Sequence, residues 1–253
     1  MLNEQEIYQL LEEKYTQFNQ KSFIESDPIS VPHQFSRKED IEIAAFLSAT
    51  IAWGQRKTII NNAQKLVDLM ELEPYRFVME HSASDLSRFK SFKHRTFNGT
   101  DVSFFIRSLQ NLYTHHGGLE QALSMYPNDM QRNISTFKQL FFEPDHPARS
   151  TKHLSDPLKN SAAKRINMFL RWMVRTDRRG VDFGLWNGIQ SSQLMCPLDV
   201  HSGNVARKLG LLIRTQNDWK AVEELTANLR TFDAADPVKY DFSLFGLGVF
   251  EKF

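Results

Sequence analysis

Apolar positions recur along this chain at the three- and four-residue spacing of helices that face a core. The stripe is plain at Ile43, Phe46, Leu47 and Ile51, again at Ile60, Ala63, Leu66, Val67 and Met70, and again at Ile166, Phe169, Leu170, Met173 and Val174. The pattern predicts helices over 4–19, 39–53, 57–71, 101–115, 130–142, 161–175, 199–209, 217–229 and 237–249, with a short one from Pro74 to Met79. Asp236-Pro237 offers a cap and a first-turn proline for the last of them. Residues 81–100 are polar and turn-rich. Residues 143–160, with Pro144, Pro147 and Pro157, read as a long loop, and 177–196 as a second irregular link. No run of alternating β-branched residues predicts a sheet, so the expectation is an all-α protein.

Composition narrows the class. The chain has 253 residues, of which 41% are apolar, enough to bury a core in one large domain or two small ones that share it. Twenty Phe against eleven Gly exclude collagen-like and disordered sequence. The single cysteine, Cys196, cannot build a disulfide framework, a zinc site or an iron–sulfur cluster from one chain. His115 and His116 are adjacent and so face apart on a helix, and no other pairing suggests a metal. Neither metal nor cofactor is expected. The polar, acidic start lacks the pattern of a signal peptide, and no apolar run reaches the roughly 20 residues of a membrane span. A cytoplasmic protein with no membrane partner is the expectation. The net charge of +1 gives no global pull toward nucleic acid. Locally, Lys159, Lys164, Arg165, Arg171, Arg175, Arg178 and Arg179 face one acid, Asp177, a zone that is either a solvated helix face or an anion-binding one.

Two residues carry candidate chemistry. Cys196-Pro-Leu-Asp-Val-His201 leads into an amphipathic helix and places Asp199 at its N-cap, where backbone N–H groups and the helix dipole favour the carboxylate. Lys164 falls in the first turn of the helix expected to be capped by Asn160 or Ser161. A cation is disfavoured at that end, and Arg165 beside it pushes the same way. Both effects favour the neutral amine that nucleophilic catalysis requires. Each residue also has a plain explanation: an aspartate cap, an exposed lysine, a packed or solvated His201, a small apolar Cys196.

Pro197-Leu-Asp-Val-His201, continued by Val205-Ala-Arg-Lys-Leu-Gly210, is similar to the proline-x-aspartate-x-histidine segment and following helix of the helix-hairpin-helix DNA glycosylase superfamily, the group that includes endonuclease III and the 8-oxoguanine glycosylases. Ile43–Ala63 resembles that superfamily's early helix pair, with Gln55 at the turn that approaches DNA. Lys164 precedes Asp199 by 199 − 164 = 35 positions, a spacing that resembles the archaeal 8-oxoguanine branch. The superfamily's glycine-rich hairpin is not recognisable before Lys164, and the four-cysteine cluster of endonuclease III is absent. The chain also resembles a set of bacterial proteins that share the Lys164–Arg175 helix and have no assigned activity.

The resemblance covers residues 38–72 and 155–212 and carries a set of expectations. The fold would be one globular unit over 1–253, made of two helical subdomains with a cleft between them. Residues 35–145 would form one subdomain, and 1–34 with 146–253 the other. The activity would be base-excision repair, with or without abasic-site lyase activity, on a damaged, flipped-out base such as an oxidised purine. Lys164 and Asp199 would be catalytic. Gln55, Arg56, Arg165, Arg171 and His201 would contact the DNA, and Trp53, Trp172 and Trp186 are available for stacking. The partner would be damaged double-stranded DNA, bound by a monomer. Two other readings stay open. The missing glycine hairpin favours a non-catalytic nucleic-acid binder. The near-neutral charge favours an α-helical protein unrelated to DNA, in which Asp199 is only a cap.

Overall fold

A computed structural model describes residues 2–253. The chain is mostly helical, in the order α1 Glu4–Phe18, α2 Lys21–Ile24, α3 Lys38–Thr50, α4 Arg56–Leu69, α5 Pro74–Glu80, α6 Gly99–His115, α7 Gly118–Leu123, α8 Met130–Phe141, α9 Lys164–Val174, α10 Val200–Lys208, α11 Trp219–Phe232 and α12 Asp241–Val249. The periodicity found the long helices and missed α2 and α7, which are too short to show a repeat. It also missed one two-stranded hairpin, Lys93–His94 against Phe97–Asn98, too short for alternation to register. Asp236-Pro237 opens a 3-10 turn rather than the last helix, which begins at Asp241. Among the described residues, no helix is long and apolar enough to cross a membrane.

The chain forms two compact units. The first holds residues 24–127 and 132–155. Its central helix is α3, buried on every side from Ile41 to Thr50, because Ile41, Ile43, Ala44, Ala45, Phe46 and Leu47 leave it no polar face. Phenylalanines fill the space around it. Phe46 meets the rings of Phe105, Phe137 and Phe141 at centroid separations of 5.5–6.1 Å. Residues 24–34 also belong here, although the sequence grouped 1–34 with the C-terminal region. Two proline-led 3-10 turns, Pro28–Ser30 and Pro32–Gln34, set Ile29 and Val31 fully into the core. The long loop after α8 is tied down by Asp101, which accepts hydrogen bonds from Ser150 Oγ at 2.7 Å and Arg149 Nη1 at 2.6 Å.

The second unit holds the N-terminal segment through Phe23, residues 128–131, and 156–253. Here α12 lies between α1 and α10 and contacts both. Two glycines permit the close approach. A Cβ at Gly246 would sit 2.0 Å from the Phe18 ring, and one at Gly248 would crowd the His201 backbone at 3.1 Å. Ser243 Oγ adds a hydrogen bond to the Leu11 carbonyl at 2.6 Å.

Two arginines one turn apart, Arg171 of α9 and Arg175 just after its last residue, pass through this interior. Arg175, whose side chain is fully buried, donates to Asp236 at 2.8 Å, Asp177 at 2.7 Å, Asp182 at 3.0 Å and the Tyr15 hydroxyl at 2.7 Å. Burial opposes the charge on Asp177, but hydrogen bonds from Asn19 and the Arg179 amide, together with Arg175, hold its carboxyl down at about 2. Removing one partner of such a network strands the rest in low dielectric, which costs about 3–5 kcal/mol. Arg175→Met, close in volume but uncharged, is therefore expected to lose about that much stability in urea unfolding. A loss below about 1 kcal/mol, the size of an exposed pair, would show that the network contributes little.

Candidate functional site

The second unit brings together the two residues that the sequence marked as chemical. Lys164 Nζ lies 3.7 Å from Asp199 Oδ2, each side chain one-quarter exposed. The two oxygens of Asp199 divide their work. Oδ1 accepts the N–H groups of His201 at 2.8 Å and Ser202 at 3.0 Å, and Ser202 Oγ closes a capping box by accepting the Asp199 N–H at 3.0 Å. Oδ2 is left to face the lysine. The Asp199 carbonyl accepts from Asn217 Nδ2 at 3.0 Å, which fixes the backbone on which the carboxylate turns.

Lys164 is the first residue of α9. The expected caps, Asn160 and Ser161, lie earlier, and the N-cap position falls on Ala163, which has no side chain to cap with. The loop before it is held in an unusual shape. Asn160 and Ala163 have φ of 63° and 48°, the left-handed region that glycine enters most easily. Neither is glycine, so neighbours must hold them there. Asn167 Nδ2 donates to the Ala162 carbonyl at 3.2 Å, and Asn160 Nδ2 donates to Asp218 Oδ2 at 3.0 Å. Asp218 is itself fixed by Arg214, whose hydrogen bond holds its carboxyl below the usual range, and it caps α11 through the Ala221 N–H at 3.1 Å. Lys164 Nζ also points at Met168 Sδ, 3.4 Å away, one turn on in α9. Lysine amine, carboxylate and soft sulfur thus meet at one partly exposed point.

A second carboxylate stands behind the pair. Asp241 is 6% exposed and accepts a hydrogen bond from Arg171 Nη1, while Arg171 Nε reaches Asp182 Oδ1 at 3.2 Å. Burial lifts the Asp241 carboxyl to about 6; the positive charges of Arg171 and Lys164 oppose the rise and the negative charge of Asp199 adds to it. Sequence reasoning missed Asp241, because the predicted last helix began at Pro237 and left Asp241 an unremarkable position inside it. The available signal was the one-turn spacing of Arg171 and Arg175 on a helix whose remaining face is apolar.

The other sequence-marked residues divide. His201 is exposed on the first turn of α10, two residues from Asp199. Arg165 is half-buried, and burial pulls its guanidinium down to about 10. Arg171 is a correction: at 4% exposure and paired with Asp182 and Asp241, it neutralises protein carboxylates and is not presented to a phosphate. Gln55 and Arg56 lie in the phenylalanine-rich unit, with Gln55 exposed at the N-cap position of α4 and Arg56 half-buried after it. Trp172 and Trp186 are core residues, and Trp53 is half-exposed. Cys196 is fully buried, and burial pushes its thiol well above the ordinary range, which makes it an inert filler. Among the described residues, no group of three or more His, Cys, Asp or Glu is placed to hold a metal ion.

The environment of Asp241 has a consequence for stability. An aspartate in the unfolded chain ionises near pH 4, whereas Asp241 in the folded chain ionises near 6. Between those values the unfolded state gives up the proton first, so this residue lowers stability as pH rises through the window. Asp241→Asn removes that slope. Relative to the wild type, the variant is expected to gain stability from pH 4 to pH 7, followed by urea unfolding at each pH. Parallel profiles for the two proteins would show that Asp241 ionises alike in both states.

No curated protein and no solved structure matches the chain. Residues 27–250, which contain Lys164, Asp199 and Asp241, match the family described as Protein of unknown function (DUF2400), and the chain belongs to that family.

Proposed function

We propose that this protein is a DNA base-excision glycosylase of the helix-hairpin-helix type, with Lys164 as amine nucleophile and Asp199 as its carboxylate partner. One observation carries the proposal: Lys164 Nζ stands 3.7 Å from the one oxygen of Asp199 that the helix cap leaves uncommitted. The left-handed Asn160 and Ala163 add support, since they give the loop before Lys164 the conformations that glycines give a hairpin. The start of α9, without a side-chain cap, has first-turn amides suited to a phosphate.

The chemistry follows from these groups. A damaged base leaves the stack at a cost of a few kcal/mol and enters the site. The Lys164 amine, its proton passed to Asp199 Oδ2, directs its lone pair at the sugar C1′. The new N–C1′ bond forms as the glycosidic bond breaks, and the base departs with that electron pair and takes up a proton. Alternatively, with Lys164 already neutral, Asp199 stays ionised and stabilises positive charge that develops on the sugar. Opening of the ring then gives a Schiff base, from which elimination would cut the strand. His201 and Arg165 in this unit, and Gln55 and Arg56 in the other, are assigned to the duplex, so binding would weaken steeply with salt.

Borohydride trapping tests the nucleophile. The wild type is expected to form a covalent adduct on a duplex carrying 8-oxoguanine or an abasic site, and Lys164→Ala none. No adduct with the wild type, or an undiminished one with Lys164→Ala, removes Lys164 from the mechanism.

Asp199 can be separated from its capping role. Asparagine caps about as well as aspartate, whereas alanine costs about 1 kcal/mol. Asp199→Asn is therefore expected to keep wild-type stability and slow adduct formation by about 10²–10⁴-fold, the range of a lost proton-transfer group. If Asp199→Asn traps at the wild-type rate, the carboxylate is only a cap.

A further inference from the structure

The second unit contains a cavity of about 540 Å³ away from the Lys164–Asp199 pair. One wall is a single face of α11, with Trp219, Glu223, Ala227 and Arg230 at successive turns. The facing wall comes from residues 128–131 and 192–195. The volume lies in the range of small-ligand sites.

Arg230 is the unusual group here. Its Nη2 donates to the Ser192 carbonyl at 3.2 Å and the Leu194 carbonyl at 3.3 Å, and it meets no carboxylate among the described residues. Burial pulls its guanidinium below the ordinary range. A guanidinium carries five N–H donors, and neutral carbonyls take up only one nitrogen of this one. It is a fixed, partly desolvated cation that no carboxylate among the described residues bonds, although Asp129 also lines the cavity, and its spare donors suit a carboxylate. Glu223 stands two turns earlier on the same face, about 10 Å along the axis at 1.5 Å per residue, so the two do not pair. Its Oε1 is held by the Trp219 indole N–H at 3.1 Å, which leaves Oε2 for another donor. On this face of α11 only Ala227 lies between the two charges, and the buried Trp219, Met130 and Met195 supply the rest of the apolar lining.

The facing wall offers the remaining complement. Asn128 Oδ1 accepts from Gln193 Nε2 at 2.8 Å, so its Nδ2 is free to donate. Gln131 Nε2 donates to the Pro157 carbonyl at 3.1 Å, so its Oε1 is free to accept. One spare donor and one spare acceptor on the same wall match the C=O and N–H of a peptide group. Three extended residues span at most about 10 Å, the separation of the two charged ends.

We propose that this cavity binds a short peptide of about three residues, its C-terminal carboxylate on Arg230 and its amino group toward Glu223. The site is independent of the DNA chemistry proposed above.

The test uses the full chain with ¹³C-methyl methionine, so that Met130 and Met195 report from inside the cavity. Titration with trialanine is expected to shift both methyl resonances saturably. C-terminally amidated trialanine should bind at least tenfold more weakly, and N-acetylated trialanine should also lose affinity. Arg230→Gln should bind the acid and the amide alike. If that variant does not fold, Glu223→Gln, which should stop discriminating free from acetylated peptide, takes its place. Lys164→Ala should bind trialanine as the wild type does, whatever its behaviour on DNA. No shift at Met130 and Met195, or equal binding of acid and amide by the wild type, overturns the proposal.

Discussion

Two charges that cannot be left alone in a dry interior organise the second unit. Arg171 in the last turn of α9 and Arg175 just after it enter the core, and each must be neutralised where it lies. Their partners come from everywhere else in the unit: Tyr15 from α1, Asp177 and Asp182 from the link after α9, Asp236 from the turn before α12, and Asp241 from α12 itself. A hydrophobic contact tolerates sliding, because it has no direction. Bidentate and shared guanidinium–carboxylate bonds do not, and so the network fixes α9 and α12 in register as well as in position. Lys164 sits at the opposite, N-terminal end of the helix that these arginines hold.

The candidate site draws on that rigidity and on a second constraint, the unsatisfied amides at helix starts. Asp199 meets the need of α10 with one oxygen and is left with the other. A group that caps and also faces a lysine is held without further machinery, because the capping bonds already restrict its rotamer. The lysine has the opposite setting, at a helix start with no side-chain cap behind a left-handed alanine. Asp218 links this loop to α11 by bonding Asn160 on one side and capping α11 on the other. The helix that braces the site is thus the same helix whose face lines the peptide-sized cavity, with Trp219 immediately after the shared aspartate.

Much of the fold was legible because long amphipathic helices announce themselves by period. What escaped lacked a period: the one-turn helices, the two-residue strands, and the residues 24–34 whose proline-led turns put them in the phenylalanine-rich unit. For the site, Lys164 and Asp199 were legible through local chemistry, as a lysine and an aspartate at helix starts. Arg171 was misassigned because an arginine in a basic run looks the same whether it faces water or a buried aspartate. Asp241 was invisible for the same reason.

The sequence by itself determined the helices, the cap at Asp199, and the pairing of residue types that amine chemistry would need. These depend on neighbours within about one helical turn, where side-chain preferences and backbone hydrogen bonds act directly. Only the tertiary structure decided that Lys164 faces Asp199, that Arg171 is spent on protein carboxylates, and that Arg230 bonds no acid among the described residues. Those facts join residues that lie tens of positions apart. Burial and charge pairing are properties of the packed interior, and no local pattern along the chain encodes which side of it a given side chain will occupy.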